Sequence, residues 1–340
     1  MNLNFLLLEM THLRYFAPLV KAGNDMGLKS TFFVGPSGKY NCPLRHKNEL
    51  SAFTSKNKVN IGHFSAAKDC AGVLFSSEKT GIDLIKANKL AKTAVLTYQT
   101  DFIESHCLYE PFVDHVLMPS KAISEYYGLA SKKNLYLGIP KYDIRISKQE
   151  VLEKYNLSDT RNALIVWPKT RDVNNVDMDN ILNTVKLMGY TLLVKTRGKD
   201  PLSTTAIKTL RDNGDHYFED DSWHPHTTQE LLEVSDFVIN FGSTTIEESV
   251  MSDTPVLNFD VKPEVRNGSK RPYRVTHDYL YKYKYCIEAN NSNVNLQAAI
   301  SHLTSNDFSS EFDKARSEHL FENKDISRKI IERLTSNVKS

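Results

Sequence analysis

Residues 235–260, SDFVINFGSTTIEESVMSDTPVLNFD, decide the fold. The apolar run that ends at Phe241 predicts a buried strand, and Gly242 then opens a short turn into a helix that begins near Ile246. The apolar residues after Pro255 predict the next strand. Strand, turn, helix and strand in this order are the building unit of a parallel α/β sheet.

The turn Gly242-Ser243-Thr244-Thr245 places small side chains at a helix N-terminus. Such an end presents unpaired backbone N–H groups and a partial positive charge, which suit a phosphate. Glu247 and Glu248 follow at once and would repel a phosphate, so at least one is expected to reach the hydroxyls of a ribose. An ordinary capped helix, with acids that complement its dipole, explains the same residues without a ligand.

Length and composition are those of a globular chain with two domains. The chain has 340 residues, 40% hydrophobic and 25% charged, and a formal net charge of +2 that favours neither nucleic acid nor a membrane surface. The four cysteines form no C-x-x-C pair, so neither zinc nor a disulfide framework is indicated. No apolar run reaches the roughly 20 residues that cross a bilayer. We therefore expect a cytoplasmic protein whose membrane contact, if any, is peripheral.

The pattern of strands and helices divides the chain into two similar halves. A β-α-β unit over residues 3–35 opens the first, and a new series begins at residue 163. We expect an N-terminal domain of residues 1–145 and a C-terminal domain of residues 160–310. Residues 311–340 carry many Lys and Glu and few large apolar residues, so we expect a C-terminal surface helix.

Four stretches occur in an order that is informative. GIPKYD at 138–143 is similar to a G-x-P-x-x-D motif, LIVWPKTRD at 164–172 to a strand with a PTxRD turn, and APLVKA at 17–22 to the first helix of the 2-epimerases. In residues 235–260 an acid stands seven residues before a proline. Together they resemble the two-domain nucleotide-sugar transferases of the GT-B type and their relatives, the CDP-glycerol glycerophosphotransferases and the non-hydrolysing UDP-N-acetylglucosamine 2-epimerases.

The resemblance implies two Rossmann-like domains with parallel sheets that face each other across a cleft. The N-terminal domain would bind the acceptor and the C-terminal domain the nucleotide donor. The resemblance assigns Glu248 to the ribose hydroxyls and the turn Gly242, Ser243, Thr244 and Thr245 to the diphosphate. It places cationic side chains beside the leaving nucleotide, where guanidinium and ammonium groups neutralise phosphate charge; these are Arg171, Arg197 and Lys199.

The chain also departs from these relatives. EMTH at 9–12 lacks the arginine and glutamate that follow the first strand of the epimerases, and NFGS at 240–243 replaces their DSGG. YQTD at 98–101 stands where the glycerophosphotransferases have a WHG loop, and Glu248 where they have aspartate. These differences favour a nucleotide sugar, above all a UDP-sugar, as donor.

Inverting sugar transfer needs a base for the acceptor hydroxyl. Asp101, after the predicted strand at 93–97, is the first candidate, and Glu9 and His12, after the first strand, come next. An acid in such a position is also an ordinary helix cap or a solvated group.

Two sequence patterns resemble metal-binding motifs, but we assign a metal to neither. Asp177 and Asp179 form a D-x-D at a predicted helix start, where acids cap the helix. His224 and His226 lack further nearby ligands, so we interpret them as a surface turn. We expect neither a metal nor a cofactor.

These observations predict a metal-independent glycosyltransferase that moves a sugar from a nucleoside-diphosphate donor to an acceptor hydroxyl, in surface polysaccharide or glycoconjugate synthesis. The acceptor can be a glycan, a lipid-linked intermediate or another hydroxyl compound, and nucleic acid is not indicated. The alternatives are a sugar-nucleotide 2-epimerase, a CDP-glycerol-type glycerophosphotransferase and a ligand-binding protein without catalysis.

Overall fold

The chain forms two compact units. The computed structural model describes residues 2–36, 40–77, 93–97, 110–169, 173, 176–259, 278–289, 295–320 and 325–336. Unit 1 consists of Met1–Ile144 and Ser317–Ser340, and unit 2 of Arg145–Arg316. The predicted boundary near residue 145 therefore lies where the chain enters unit 2, but the C-terminal residues return to unit 1.

Unit 1 is built on seven parallel strands in the order β3-β2-β1-β4-β5-β6-β7. The strands are β1 (Asn2–Leu7), β2 (Lys29–Val34), β3 (Asn60–His63), β4 (Val73–Ser77), β5 (Thr93–Thr97), β6 (His115–Met118) and β7 (Asn134–Tyr136). The strand order reverses between β1 and β4. Ligands of such sheets bind at this switch point, beyond the carboxyl ends of the strands.

An aromatic cluster fills the core of unit 1 around Phe5 of β1. The centroid of the Phe5 ring lies 5.2 Å from that of Phe16, 5.6 Å from that of Phe32 and 5.1 Å from that of Phe75. Phe16 belongs to α1 (Leu13–Asp25), and the described part of residues 2–144 also contains α2 (Lys47–Lys56) and α3 (Lys121–Tyr126). The apolar face of α1 is buried, as the spacing of its apolar residues predicts.

Unit 2 is built on six parallel strands in the order β10-β9-β8-β11-β12-β13. The strands are β8 (Asn162–Val166), β9 (Thr191–Lys195), β10 (His216–Phe218), β11 (Phe237–Asn240), β12 (Val256–Phe259) and β13 (Cys286–Ala289). The switch point lies between β8 and β11. The strands are nearly continuous apolar runs because helices cover both faces of such a sheet.

Seven helices accompany this sheet in the described part of unit 2: α4 (Lys148–Tyr155), α5 (Met178–Leu187), α6 (Thr204–Asp212), α7 (Thr227–Leu232), α8 (Thr245–Met251), α9 (Leu296–Ser305) and α10 (Ser309–Ala315). Helix α4 lies between the two domains expected from sequence, residues 1–145 and 160–310, and it belongs to unit 2. Glu230 of α7 is the reason, because its carboxylate accepts hydrogen bonds from Lys154 Nζ at 2.7 Å and from the Tyr155 hydroxyl at 2.6 Å.

The C-terminal residues differ from the expected surface helix. A π-helix (Arg316–Leu320) follows α10, and α11 (Ile326–Ser336) then packs against α1 within unit 1. Ile330 and Ile331 are fully buried, so α11 has an apolar face that belongs to the core. Its first turn is held by Asp143, the last residue of the GIPKYD motif, whose carboxylate accepts the backbone N–H of Ser327 at 2.7 Å. No helix within the described ranges is long and apolar enough to cross a bilayer.

Candidate functional site

The carboxyl edge of the unit 2 sheet brings together the loops that carry most of the predicted donor residues. The loop after β11 lies at the switch point, and the loop after β9 lies on the other side of β8. Neighbouring strands are about 4.8 Å apart, so the ends of β9 and β11 are separated by about 10 Å. A ligand at the end of β8 can therefore meet both loops.

The loop after β11 is the turn predicted from sequence. Gly242 has φ of +60°, a left-handed conformation that glycine adopts without steric cost. Helix α8 begins at Thr245, and the Ser243 and Thr245 hydroxyls lie 3.3 Å apart. The backbone N–H of Ile246 is bonded to the Ser243 carbonyl at 3.3 Å. The N–H groups before it lie at the helix start, where the helix itself supplies no acceptor.

Two buried asparagines at the ends of adjacent strands hold this turn. Asn240 of β11 pairs in register with Asn258 of β12, and its Nδ2 donates to Asn258 Oδ1 at 2.7 Å and to the Ser243 carbonyl at 3.0 Å. Asn258 Oδ1 also accepts the Gly242 N–H at 3.3 Å, and its Nδ2 donates to the Tyr281 hydroxyl at 2.8 Å. The position of the turn is therefore set by side chains of the sheet as well as by its own sequence.

The two acids of α8 have different surroundings. Both side chains are buried, Glu247 at 1% and Glu248 at 2% exposure. Glu247 Oε1 accepts a hydrogen bond from the Tyr279 hydroxyl at 2.7 Å. Consecutive helical residues point about 100° apart, so one ligand does not meet both carboxylates in the same way. Glu247 is thus tied to the protein through Tyr279.

The loop after β9 carries Arg197 and Lys199. The backbone closes a tight turn, in which the Asp200 N–H donates to the Arg197 carbonyl at 2.8 Å. Arg197 is half-buried and Lys199 is exposed. Within the described part of the chain neither cation pairs with an acidic side chain. Both charges are available to an anionic ligand.

A buried ion pair lies beneath this turn. Lys195 Nζ, at the end of β9, lies 2.7 Å from Asp220 Oδ1, and His226 Nε2 lies 3.6 Å from the same oxygen. Burial raises the pKa of the Asp220 carboxyl, but hydrogen bonding from His226 and the charge of Lys195 outweigh it and hold the pKa well below its usual value. Asp220 is therefore ionised at neutral pH.

The interpretation of His224 and His226 as a surface turn was wrong for His226. Its side chain is buried, and its backbone N–H donates to Gln229 Oε1 at 3.4 Å at the start of α7. The adjacent Trp223 is also almost fully buried. Across the described ranges, no group of three or more His, Cys, Asp or Glu side chains is arranged to hold a metal ion.

Two of the three candidate bases lie in the described part of unit 1, directly after β1. Glu9 is half-buried, and its Oε2 accepts a hydrogen bond from Asn41 Nδ2 at 2.8 Å. His12 is 3% exposed, and its ring packs edge-on to Phe16 with 6.1 Å between centroids. Of these two, Glu9 has the more accessible side chain, at the switch point of the sheet.

The remaining predicted residues lie outside the described ranges. These are Asp101, the leading candidate base, and Arg171, which follows β8 in the sequence. Asn258, Tyr279 and Asp220 were missed from sequence. A polar residue inside a short apolar strand, as Asn258 is in β12, was the available signal, whereas Tyr279 and Asp220 acquire their roles through contacts distant in the chain.

No protein-family model matches the chain, and no curated protein matches it in sequence. Solved structures do match over its whole length. The UDP-GlcNAc 2-epimerase of Methanocaldococcus jannaschii, in complex with UDP-GlcNAc and UDP, is 12% identical with a TM-score of 0.60, covering 99% of this chain and 100% of that one. The fold is of the GT-B type.

Two further structures agree with the GT-B assignment. The wall teichoic acid polymerase TagF, in a variant soaked with CDPG, is 12% identical with a TM-score of 0.66, covering 99% of this chain and 89% of that one. MnaA of S. aureus, solved with UDP, is 12% identical with a TM-score of 0.58, covering 100% and 96%. The predicted GT-B-type fold, with two parallel α/β sheets, is confirmed.

Proposed function

We propose that this protein is a glycosyltransferase that moves a sugar from a nucleoside-diphosphate donor, most readily a UDP-sugar, to an acceptor hydroxyl. The observation that carries the proposal is the carboxyl edge of the unit 2 sheet. There a preformed turn at a helix start lies about 10 Å from a second turn whose two cations pair with no acidic side chain among the described residues. A diphosphate is the ligand class that matches both features.

Each predicted donor residue has a task in this proposal. The backbone of Gly242 and the hydroxyl residues Ser243, Thr244 and Thr245 bind the diphosphate, while Glu248 binds the ribose. Arg197 and Lys199 neutralise the charge that develops on the leaving nucleotide. Since these side chains supply positive charge, the proposed reaction proceeds without a metal ion. Arg171 is proposed for the same task.

The chemical step forms one bond and breaks one. The acceptor oxygen bonds to the anomeric carbon, the bond from that carbon to the diphosphate oxygen breaks, and the electron pair leaves with the nucleoside diphosphate. The acceptor proton passes to a base, for which we propose Asp101 and, after it, Glu9 and His12. The acceptor would be a glycan, a lipid-linked intermediate or a similar hydroxyl compound of a surface polysaccharide pathway.

We propose a cytoplasmic location, with membrane contact limited to the periphery. Cys42, Cys70 and Cys286 are free thiols, which suits a reducing compartment.

A sugar-nucleotide 2-epimerase is the second candidate, because one of the similar structures is a UDP-GlcNAc 2-epimerase in complex with UDP-GlcNAc and UDP. An epimerase converts its donor with no acceptor present, whereas a transferase releases nucleotide only when an acceptor accompanies the donor. A glycerophosphotransferase would use CDP-glycerol instead of a sugar nucleotide.

A thermal-shift screen with UDP-, GDP-, CDP- and CMP-sugars and CDP-glycerol tests the proposal. At 100 times its dissociation constant a ligand stabilises the folded state by about 2.7 kcal/mol, or roughly 5 to 10 °C for a unit of this size. We expect this shift with a UDP-sugar, and then nucleotide release only with acceptor. Conversion of UDP-GlcNAc alone would instead establish the epimerase. No shift with any nucleotide would overturn both.

A further inference from the structure

Asp220 lies just after β10 and joins β10 to the turn after β9. Its carboxylate is 13% exposed. One oxygen accepts from Lys195 Nζ at 2.7 Å, and the other accepts the backbone N–H of Gly198 at 3.1 Å. The hydrogen bond from the Gly198 N–H is not needed to neutralise Lys195. It fixes the backbone between Arg197 and Lys199.

A tyrosine of β10 holds the same turn from its other side. The Tyr217 hydroxyl lies 2.8 Å from Thr196 Oγ1 and accepts the Leu202 N–H at 3.2 Å. The turn is thus bonded before, within and after the cationic residues, while the cations themselves have no partner among the residues that the structure describes. A turn that is held rigidly while its charges remain unpaired is prepared for an anion.

We propose that Asp220 is a positioning residue for the donor: by fixing the Gly198 backbone it orients Arg197 toward the diphosphate. The inference rests on the proposed function, because it needs a diphosphate at this edge of the sheet. Asp220 does not touch the ligand, and its effect passes through Arg197.

Charge alone predicts the opposite effect, which makes the inference testable. Removing the negative charge of Asp220 beside an anion site should strengthen anion binding. Loss of the hydrogen bond between Asp220 and the Gly198 N–H lets the turn adopt other conformations and should weaken anion binding. Asp220→Asn has a similar shape, but its amide has one oxygen and cannot accept from both Lys195 and Gly198.

The test measures UDP binding by isothermal titration calorimetry for wild type, Asp220→Asn, Arg197→Ala and the double variant, with folding checked by circular dichroism. Asp220→Asn should bind UDP roughly tenfold more weakly, the equivalent of one charge-assisted hydrogen bond. In the Arg197→Ala background, Asp220→Asn should have little further effect, because the two residues act through one contact.

Asp215→Asn is the matched control. Asp215 is a buried carboxylate that accepts from Lys186 Nζ at 2.8 Å and from the Leu192 N–H at 2.9 Å, but it lies at the amino end of β10. It should lose stability and leave UDP affinity unchanged. If Asp220→Asn does not fold, Tyr217→Phe loosens the same turn without unpairing a buried charge and should weaken binding in the same Arg197-dependent way.

The outcomes separate the inference from the proposed function. If wild type binds no UDP, both fail. If wild type binds UDP and Arg197→Ala weakens it, while Asp220→Asn and Tyr217→Phe bind as tightly as wild type or tighter, the inference alone is overturned. Additive effects of Asp220→Asn and Arg197→Ala would also overturn it.

Discussion

Asn258→Ala tests whether the sheet holds the candidate donor turn. The substitution removes three hydrogen bonds of a buried side chain, those with Asn240 Nδ2, the Gly242 N–H and the Tyr281 hydroxyl. At about 1 kcal/mol for each bond, the free energy of unfolding should fall by about 2 to 4 kcal/mol. The melting temperature of a unit this size should then fall by roughly 4 to 16 °C.

Tryptophan fluorescence during urea unfolding is the assay, because both tryptophans of the chain, Trp167 and Trp223, belong to unit 2. Asn180→Ala, at an exposed helical position, is the control and should change the free energy of unfolding by about 0.5 kcal/mol or less. Asn258→Ala combined with Tyr281→Phe should cost less than the sum of the single changes, since the phenol no longer needs a partner. A loss no larger than that of the control would refute the assigned role of Asn258.

Three further predictions follow from the same contacts. Tyr279→Phe should lower the free energy of unfolding by about 1 to 3 kcal/mol in urea titration, because Glu247 loses the hydrogen bond from the buried Tyr279 hydroxyl. An unchanged urea midpoint would show that this hydrogen bond contributes nothing to stability. Glu248→Gln should bind UDP and 2′-deoxy-UDP equally, whereas wild type should prefer UDP; a preserved preference in the variant would exclude Glu248 as the ribose ligand. Burial lowers the pKa of His115 and His216 despite a neighbouring aspartate, so the folded state binds fewer protons than the unfolded state. The stability that these histidines contribute above pH 6.5 should therefore be lost as the pH falls below that value. Melting curves from pH 8 to 5 should show the melting temperature falling with pH, and this dependence should be weaker in His216→Gln.

Both sheets and the turn after β11 could be predicted because their signals are local. Continuous apolar strands alternate with helices, and Gly242 marks the turn between β11 and α8. Composition misled us on α11, which looked like a surface helix. Its apolar residues Ile326, Ile330 and Leu334 recur at intervals of four, the spacing of a buried helix face, and this pattern was the better signal.

The scaffold of the site could not be predicted, because it depends on contacts between residues far apart in sequence. Asp220 meets Gly198 only because β9 and β10 are adjacent, and Tyr279 meets Glu247 only once α8 has packed. Sequence identified residues suited to a ligand. The coordinates were needed to find the hydrogen bonds that Glu247 and Asp220 make with the rest of the protein.

Calorimetric titration of UDP, UMP and uridine into wild type and Ser243→Asp tests the central claim most directly. If the turn after β11 binds a diphosphate, UDP should bind at one site per chain and more tightly than UMP or uridine. Ser243→Asp, which brings a negative charge to that turn, should weaken UDP binding by at least about tenfold while leaving uridine unaffected. Equal affinities for UDP and uridine, or a Ser243→Asp variant that binds UDP as wild type does, would contradict the account.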